Sequence, residues 1–301
     1  NWVVAGTHTV SGHPLLANDP HLKITTPTLW YLARVEVSGA DGFKSAGATM
    51  PGLPGVVLGQ NEHIAWGFTN TGPDVQDLYL ERFKPDDPMQ VQTPGGWERV
   101  AGVSEDIRVK GAKSENLVVR VSRHGPMISD AGGAAGEVAG NDGNAPYGIA
   151  MRWTALDADA DPVAAGLAMV RARSAAEFVD AATRLWVAPM QNMVVADRQG
   201  QIAVVSPGRV PLRQAGNDLK GLVPAPGWEA RYDWAGFIPA AQTPRETQPP
   251  RGWIATANHR IHGSDYPYHL TSEWAPPYRQ QRIEQLLRSR ARHSIGDMAA
   301  M

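Results

Sequence analysis

The sequence of 301 residues contains no cysteine. This absence excludes disulfide bonds, thiolate metal sites and cysteine nucleophiles. It also fits a protein that a bacterium exports, and we therefore expect a periplasmic or secreted location. No signal peptide is recognisable, but a chain that begins inside a strand would already have lost one.

Long apolar runs and an excess of one charge are also missing. No apolar run reaches the ~18 residues of a membrane-spanning helix. The net charge is −2, from 28 basic and 30 acidic residues mixed along the chain. A nucleic-acid groove or a polybasic membrane patch is therefore not indicated. The common hydrolase motifs G-x-S-x-G, S-x-x-K and H-E-x-x-H are absent.

Short apolar runs bounded by turn residues dominate what is present. The chain has 31 glycines and 24 prolines, and most apolar runs end at glycine, proline, asparagine or aspartate. This punctuation predicts a strand-rich fold. The runs are "WVVAG", "GVVLGQ", "IAWGFT", "NLVVRVS", "NMVVAD", "IAVVS" and "GWIATAN".

Helix signals are fewer and lie in the second half of the chain. Ser174 and Glu177 form a capping-box pattern before the amphipathic stretch "EFVDAATRLW". A second amphipathic helix is predicted over "YRQQRIEQLLRSR", and Ser294 to Asp297 predicts the cap of a third. Strands with a few helices predict the α+β class.

Changes in composition and pattern divide the chain into four segments. Residues 78–145 are more charged and alternate like strands, which predicts a small inserted β domain between core segments 1–77 and 146–278. Residues 279–301 are predicted to start a helical region that continues further. Asn1 to Gly6 already have the composition of a strand in mid-course, so both ends of the chain are expected to be cut.

Four stretches place polar side chains beside rigid turns. They are "ANDPHL" with His21, "AWGFTNTGPDVQDLY" with Asn70, "IATANHR" with Asn258 and "YRQQR" with Arg279. Taken singly, each is also what a strand-end turn or a helix cap looks like, because asparagine and aspartate favour such places. The sequence pattern alone leaves both interpretations open.

Together these stretches resemble the β chain of the penicillin acylase family of N-terminal nucleophile hydrolases. The resemblance runs in order over nearly the whole chain, through "NWVVAG", "LLANDPHL", "MPGLPGVVLGQNEHIAWGFTNTGPDVQDLYLE", "SRHGP", "PMQNMVVADRQGQI" and "GWIATANHRI". It implies an αββα four-layer sandwich with an inserted β domain. It also implies a partner α chain from the same precursor, released with the β chain by autocatalytic cleavage. Family β chains begin Ser-Asn-x-Trp, so the nucleophilic serine is expected just before Asn1.

The resemblance also implies roles for four residues. An N-terminal serine uses its own α-amine as the base, and the developing oxyanion needs fixed donors. The donors are expected to be the backbone N–H of Asn70 and the Nδ2 of Asn258. His21 matches the histidine of cephalosporin and acyl-homoserine-lactone acylases near the nucleophile's amine. Arg279 matches an arginine that orients the oxyanion asparagine and the substrate.

Two further sites follow from the resemblance. The substrate pocket is expected to contain Leu22, Val57, Leu58, Phe68, Trp153 and Gln191. Its aliphatic residues where penicillin G acylases have aromatic ones leave room for an aliphatic acyl chain, although all but Gln191 would serve equally as core. A structural Ca²⁺ site is expected from Asp74, Gln76, Asp77 and Leu219, with other ligands from the α chain. No organic cofactor is expected.

The predicted function is hydrolysis of a linear amide of an N-acyl compound through a seryl acyl-enzyme. The substrate class is the side-chain amide of a β-lactam, an acyl-homoserine lactone or a related small amide. Without the serine, the chain as written is expected to be inactive. The alternative is a non-catalytic module that binds a small molecule or another chain on the same fold.

Overall fold

A computed structural model describes residues 1–139 and 146–301. In these ranges the strands are β1 (Trp2–Val4), β2 (Leu15–Ala17), β3 (Tyr31–Val37), β4 (Phe43–Thr49), β5 (Leu58–Asn61), β6 (Ile64–Asn70), β7 (Gln76–Lys84), β8 (Asp87–Thr93), β9 (Gly96–Arg99), β10 (Ala101–Ile107), β11 (Glu115–Ser122), β12 (Gly125–Pro126), β13 (Tyr147–Trp153), β14 (Gln191–Asp197), β15 (Ile202–Val205), β16 (Pro211–Arg213), β17 (Ala225–Pro226), β18 (Trp234–Phe237), β19 (Arg245–Thr247) and β20 (Trp253–Ala255). The α-helices are α1 (Gly133–Ala139), α2 (Pro162–Val170), α3 (Ala175–Leu185), α4 (Tyr278–Arg288) and α5 (Ile295–Ala299). None of the helices among the described residues has the length and apolarity needed to cross a membrane.

The chain forms two compact units. The first consists of Asn1–Pro73, Asp159–Arg209 and Ile238–Met301, and the second of Asp74–Ala158 and Val210–Phe237. These bounds differ from the predicted insertion 78–145, whose last residues, 140–145, lie outside the described residues. The second unit is larger because β7 pairs with β13 on one side and with β17 on the other. Composition changes along the chain do not reveal such pairings.

A seven-stranded antiparallel sheet is the centre of the first unit. Its order is β19-β15-β14-β6-β5-β4-β3. Alternation along β6 directs Ile64 and Trp66 towards α2 and α3, where they pack on Phe178 in one buried cluster. Helix α3 begins as predicted, because the Ser174 side chain accepts the N–H of Glu177 at 3.1 Å.

A three-stranded sheet with the order β2-β1-β20 covers the other face of the seven-stranded sheet. Ile254 packs on Val194 in the core between the two sheets. Trp253 points to the opposite side and packs on Leu287 of α4. The layers are therefore helix, sheet, sheet and helix, which confirms the predicted αββα sandwich.

The second unit consists of small sheets, the largest with β13, β7, β8, β9 and β17. A buried histidine of the "SRHGP" motif ties its segments together. His124 Nδ1 lies 2.7 Å from Glu81 and Nε2 lies 3.0 Å from Asp233. The ring also stacks on Tyr79 at 3.6 Å between centroids. The imidazole therefore connects Glu81 of β7 with Asp233, which directly precedes β18.

Candidate active site

The start of β1 is fixed by three neighbouring segments of the first unit. The Asn1 amine donates to the carbonyl of Thr256 at 3.0 Å, and the Thr256 N–H donates back to the Asn1 carbonyl at 2.8 Å. The Asn1 side chain donates to the Phe68 carbonyl at 2.5 Å and to Thr69 Oγ1 at 2.6 Å. Asn1 therefore lies where the ends of β6 and β20 meet.

The backbone N–H and C=O of Asn70, the last residue of β6, lie on the side of the strand that faces away from β14. The Arg198 N–H donates to the His63 carbonyl, which fixes the alternation along β6 and β14. By that alternation Asn70 and Gln191 form a non-hydrogen-bonded pair. The N–H and C=O of Asn70 thus point away from β14, beyond the residues that β5 pairs. The predicted donor N–H is free to face a ligand on that side.

Asn258 projects its amide into the same place. It follows β20 with φ +62°, in the left-handed region that asparagine tolerates. Its Nδ2 donates to the Asn70 carbonyl at 2.7 Å, and its Oδ1 accepts from Arg279 Nη2 at 2.8 Å. A primary amide has two N–H donors, so one remains for a ligand. The structure therefore brings Asn70, Asn258 and Arg279 together, as the resemblance implied.

Electrostatics at this point disfavour a charged amine. The pKa of the Asn1 amine is lowered from 8.0 to about 6, chiefly because burial removes water from the cation. Asp19 raises the pKa of this amine, and Arg279 lowers it. The Asn1 amine is therefore largely uncharged at neutral pH.

His21 is not brought to this cluster. Its ring is exposed, and Nδ1 lies 3.0 Å from the carbonyl of Asp19. Asp19 connects His21 to Asn1, because the Asp19 N–H donates to Asn1 Oδ1 at 3.0 Å. Residues 18–30 form no helix or strand. The role of His21 therefore stays a prediction.

The predicted substrate pocket is only partly assembled. Val57 and Phe68 line an apolar cavity of about 100 Å³, whereas Leu58 lines a different cleft. Leu22 is exposed, and Trp153 belongs to the second unit. Gln191 holds the Asn70 side chain through an Nε2–Oδ1 contact of 3.3 Å.

Sequence reasoning missed most of the cavity wall. Trp186 lies edge-on to Phe68 at 6.1 Å between ring centroids. Trp186 is the last apolar residue of the helix predicted over "EFVDAATRLW". Its position on the apolar face is the signal that would have placed it between the helix and the sheet. Other unpredicted wall residues are Leu53, Pro54, Val56, Trp66, Pro162, Val163, Gly166, Met169 and Val170.

The calcium site expected in the second unit stays a prediction, and one of its carboxylates is already paired. The Asp77 carboxylate is buried and already accepts Arg213 Nη2 at 2.6 Å and Trp234 Nε1 at 2.8 Å. The Leu219 carbonyl accepts the N–H of Leu222, and the ligand expected from Gln76 is its backbone carbonyl. Asp74 contributes its carbonyl to Arg213. Among the described residues no group of three or more His, Asp or Glu side chains could hold a metal.

Comparisons with known proteins agree on one family. The sequence model described as penicillin amidase matches residues 1–301. The acyl-homoserine lactone acylase QuiP of Pseudomonas aeruginosa is 33% identical over 304 residues, covering 100% of this chain and 35% of the relative. The penicillin acylase 2 proenzyme of Pseudomonas sp. (strain SE83) is 33% identical over 302 residues, covering 100% and 37%.

The fold has a counterpart among solved structures. A thermostable penicillin G acylase from Alcaligenes faecalis matches with a TM-score of 0.81 at 24% identity, over 99% of this chain and 50% of that one. The present chain spans about a third of the length of the curated relatives it matches.

Proposed function

Because this chain belongs to the penicillin amidase family, we propose that it is the β-chain portion of an acylase. The reaction is hydrolysis of a linear amide in an N-acyl compound. Two of the relatives bear the names acyl-homoserine lactone acylase and penicillin acylase, which supports this class of substrate. The name proenzyme supports a precursor that is processed into an α chain and a β chain.

The observation that carries the proposal is the clamped amide of Asn258. Its Oδ1 accepts from Arg279 and its Nδ2 donates to the Asn70 carbonyl, beside the start of β1. One amide N–H and the free backbone N–H of Asn70 are then two fixed donors for an oxyanion. Each such donor contributes about 3–4 kcal/mol to the stability of the transition state.

The nucleophile is a serine that precedes Asn1, separated from it by one asparagine. Its Oγ attacks the acyl carbon while its α-amine takes the hydroxyl proton, directly or through water. The tetrahedral oxyanion collapses, the C–N bond breaks, and the proton passes to the leaving amine. Water then attacks the seryl ester by the same route and releases the acid.

The acyl group is aliphatic. The cavity beside the site is lined by Val57, Phe68 and Trp186 and is apolar throughout its wall. Burial of an alkyl chain there contributes about 0.8 kcal/mol per methylene. His21 acts by organising the segment that holds the amine, and the cysteine-free composition supports an exported bacterial protein.

The test is reconstitution with and without the serine. The missing α chain is co-expressed with a β chain extended at its C-terminus, either as Asn1 onward or with Ser-Asn restored before it. Hydrolysis of phenylacetyl, glutaryl and medium-chain acyl amides is measured. Activity is expected only with the serine, on the medium-chain amides first, and a serine-to-alanine control should remove it.

Two outcomes would contradict the proposal. Equal acylase activity from the serine-less assembly would place the nucleophile elsewhere. A folded, assembled protein with the serine that binds acyl amides without cleaving them would make the chain part of a binding module.

A further inference from the structure

The outer edge of β20 has backbone groups that point away from its neighbour β1. Asn1 and Thr256 exchange both backbone bonds, and the Ala5 N–H donates to Gly252 at 2.8 Å. In an antiparallel pair such bonds occur at every second residue. The N–H and C=O of Trp253 and Ala255 therefore face outwards. Within the described residues β20 pairs with β1 alone and ends the order β2-β1-β20.

A cleft of about 410 Å³ lies beside this edge, lined by Trp253 to Thr256. Its floor comes from strands of the seven-stranded sheet, with Asn192 and Ser206, and its roof from α4, with Gln280 and Glu284. The cleft thus occupies the layer of the three-stranded sheet, between the larger sheet and the helix. We call this cleft the strand slot, because the next strand of that sheet would lie there, about 4.8 Å from β20.

Three buried polar atoms in the slot have no hydrogen-bond partner among the residues that the structure describes. Asn192 is 1% exposed and Gln280 is 7% exposed. Asn192 Nδ2, Gln280 Oε1 and His259 Nδ1 are buried and without a hydrogen bond. Asn192 Oδ1 accepts from Ser206, which aims the amide nitrogen away from that contact. Unpaired groups of this kind are rare in finished structures, so they indicate an occupant with donors and acceptors of its own.

Two of the arginines around the slot are paired with carboxylates. Arg288 pairs with Glu284, and Arg251 pairs with Glu246. Arg245 donates to the carbonyls of Ala240 and Thr243, so neutral oxygens already engage its guanidinium. A neutral polar backbone, which has alternating N–H and C=O groups, matches both the edge of β20 and the unpaired amides.

We propose that the strand slot receives a fourth strand of the sheet, supplied by the part of the longer acylase that this chain does not span. The proposal rests on the proposed function. The chain covers about a third of the length of its relatives, so the longer acylase has further residues from which this strand can come. The strand hydrogen-bonds to Trp253 and Ala255. Its side chains alternate between Asn192 on the floor and Gln280 on the roof, so we expect polar residues on both faces.

Cross-linking from a single cysteine tests the proposal in the full-length protein. This chain has no cysteine, and any in the remainder are replaced by serine. Arg288→Cys places a benzophenone maleimide in the slot, and Arg282→Cys places one on an exposed position of the same helix. We expect Arg288→Cys to cross-link one short segment outside residues 1–301, and Arg282→Cys not to reach it. Hydrogen exchange at the Ala255 amide should be slow in the same protein.

Three results would overturn the proposal. They are cross-links from Arg288→Cys that stay within residues 1–301, cross-links to a second copy of this chain in mixed isotope-labelled samples, and rapid exchange at Ala255. None of these readouts requires turnover. An inactive protein that gives the expected cross-link would refute the proposed function and leave the strand slot standing.

Discussion

At the scale of single residues, Asn258 combines a special backbone with a fully specified side chain. Its φ of +62° turns the chain directly after β20, and both ends of its amide are engaged. Asparagine is the residue type that meets both demands, because it tolerates the left-handed region and has an amide on a short stem.

Replacing Asn258 by alanine in the assembled enzyme should lower kcat by about 10²–10³, since one oxyanion donor is lost. KM should change little, because the donor acts mainly on the transition state. Asn258→Gly, which keeps the backbone conformation available, should lose as much. Asn116→Ala, at an exposed asparagine of the second unit, is the control and should keep full activity. An active Asn258→Gly variant would mean that the amide is a backbone support.

Gly221 makes the packing around Asp77 possible. Its φ is +81°, and a Cβ there would lie 2.4 Å from Asp77 Oδ1 and 2.8 Å from Arg213 Nη2. Gly111 in the same unit has the same φ of +81° with nothing within 4 Å of a Cβ. Both alanine variants lose the ~1–2 kcal/mol of a left-handed residue. Gly221→Ala should be destabilised further in urea unfolding, and equal midpoints would show that the ion pair moves aside freely.

At the scale of elements, one ion pair joins three strands of the second unit. Asp77 lies on β7, Arg213 on β16, and Trp234, which also donates to Asp77, on β18. Both charged side chains are nearly inaccessible, at 7% for Arg213 and 4% for Asp77. Removing one partner therefore leaves a buried charge without compensation.

Arg213→Gln should destabilise the second unit by about 3–5 kcal/mol, the usual cost of breaking a buried pair. Arg184→Gln is the control, because its pair with Asp180 is about 60% exposed on both sides and should contribute little.

Thermal unfolding of the parent is measured with and without EDTA. With the carboxylate neutralised by arginine, chelation should leave the transition in place. A lower melting temperature in EDTA would show that calcium binds despite the guanidinium.

Trp186 stands at the junction between α3 and the apolar cavity. Its indole lies against Phe68 and donates to the Pro189 carbonyl at 2.5 Å. Trp186→Leu should enlarge the cavity and shift kcat/KM of the assembled enzyme towards longer acyl chains. A panel of acyl amides of increasing length measures the shift. The same optimum in both proteins would place the acyl chain elsewhere.

Elements with strong local patterns could be predicted from the sequence. The runs that became β1, β6, β14, β15 and β20 are β-branched and turn-bounded, and the caps of α3 and α5 are set by Ser174 and Ser294. The bounds of the second unit could not be predicted, because they depend on the pairing of β7 with β13 and β17, which are distant in sequence. Strand pairings between such distant segments leave no local signal in the sequence.

The candidate site could also be predicted only in part from the sequence. The Asn258–Asn70 contact spans 188 positions, and only the family resemblance, not spacing, joined these residues beforehand. The pair of Asp77 with Arg213 could not be predicted, because a lone arginine in "VPLRQ" carries no sign of its partner. Trp186 was missed because a helix-end tryptophan looks like any core residue.

At the scale of the whole molecule, the two units should respond to acid in different ranges. Burial lowers the pKa of His259 in the first unit below 6.5, and Glu284 raises it only partly back. For Asp233 in the second unit, burial raises the pKa, but hydrogen bonds from Arg123 and His124 outweigh it and hold the pKa below 3.8.

The sign follows from proton binding. Below pH ~6.5 the unfolded chain protonates His259 before the folded chain does, so the first unit loses stability as pH falls. Asp233 stabilises the second unit above pH ~3.8, and this contribution is lost only as pH falls through its lower folded pKa. Hydrogen exchange should show weaker protection of the first unit at pH 5.5 than at pH 7.5, and His259→Gln should reduce the difference. Uniform weakening would contradict the assignment.

The division of the first unit into three chain segments imposes an order in time. The central neighbours β6 and β14 pair at Trp66 with Val195, but the whole first segment of the second unit is synthesised between them. At 5–20 residues per second, β6 waits on the order of 10 s on the ribosome for its partner. During that interval Ile64, Trp66 and Phe68 have no completed core to enter. Slowing translation across residues 74–158 should therefore increase the capture of nascent chains by holdase chaperones, with no change in the finished protein.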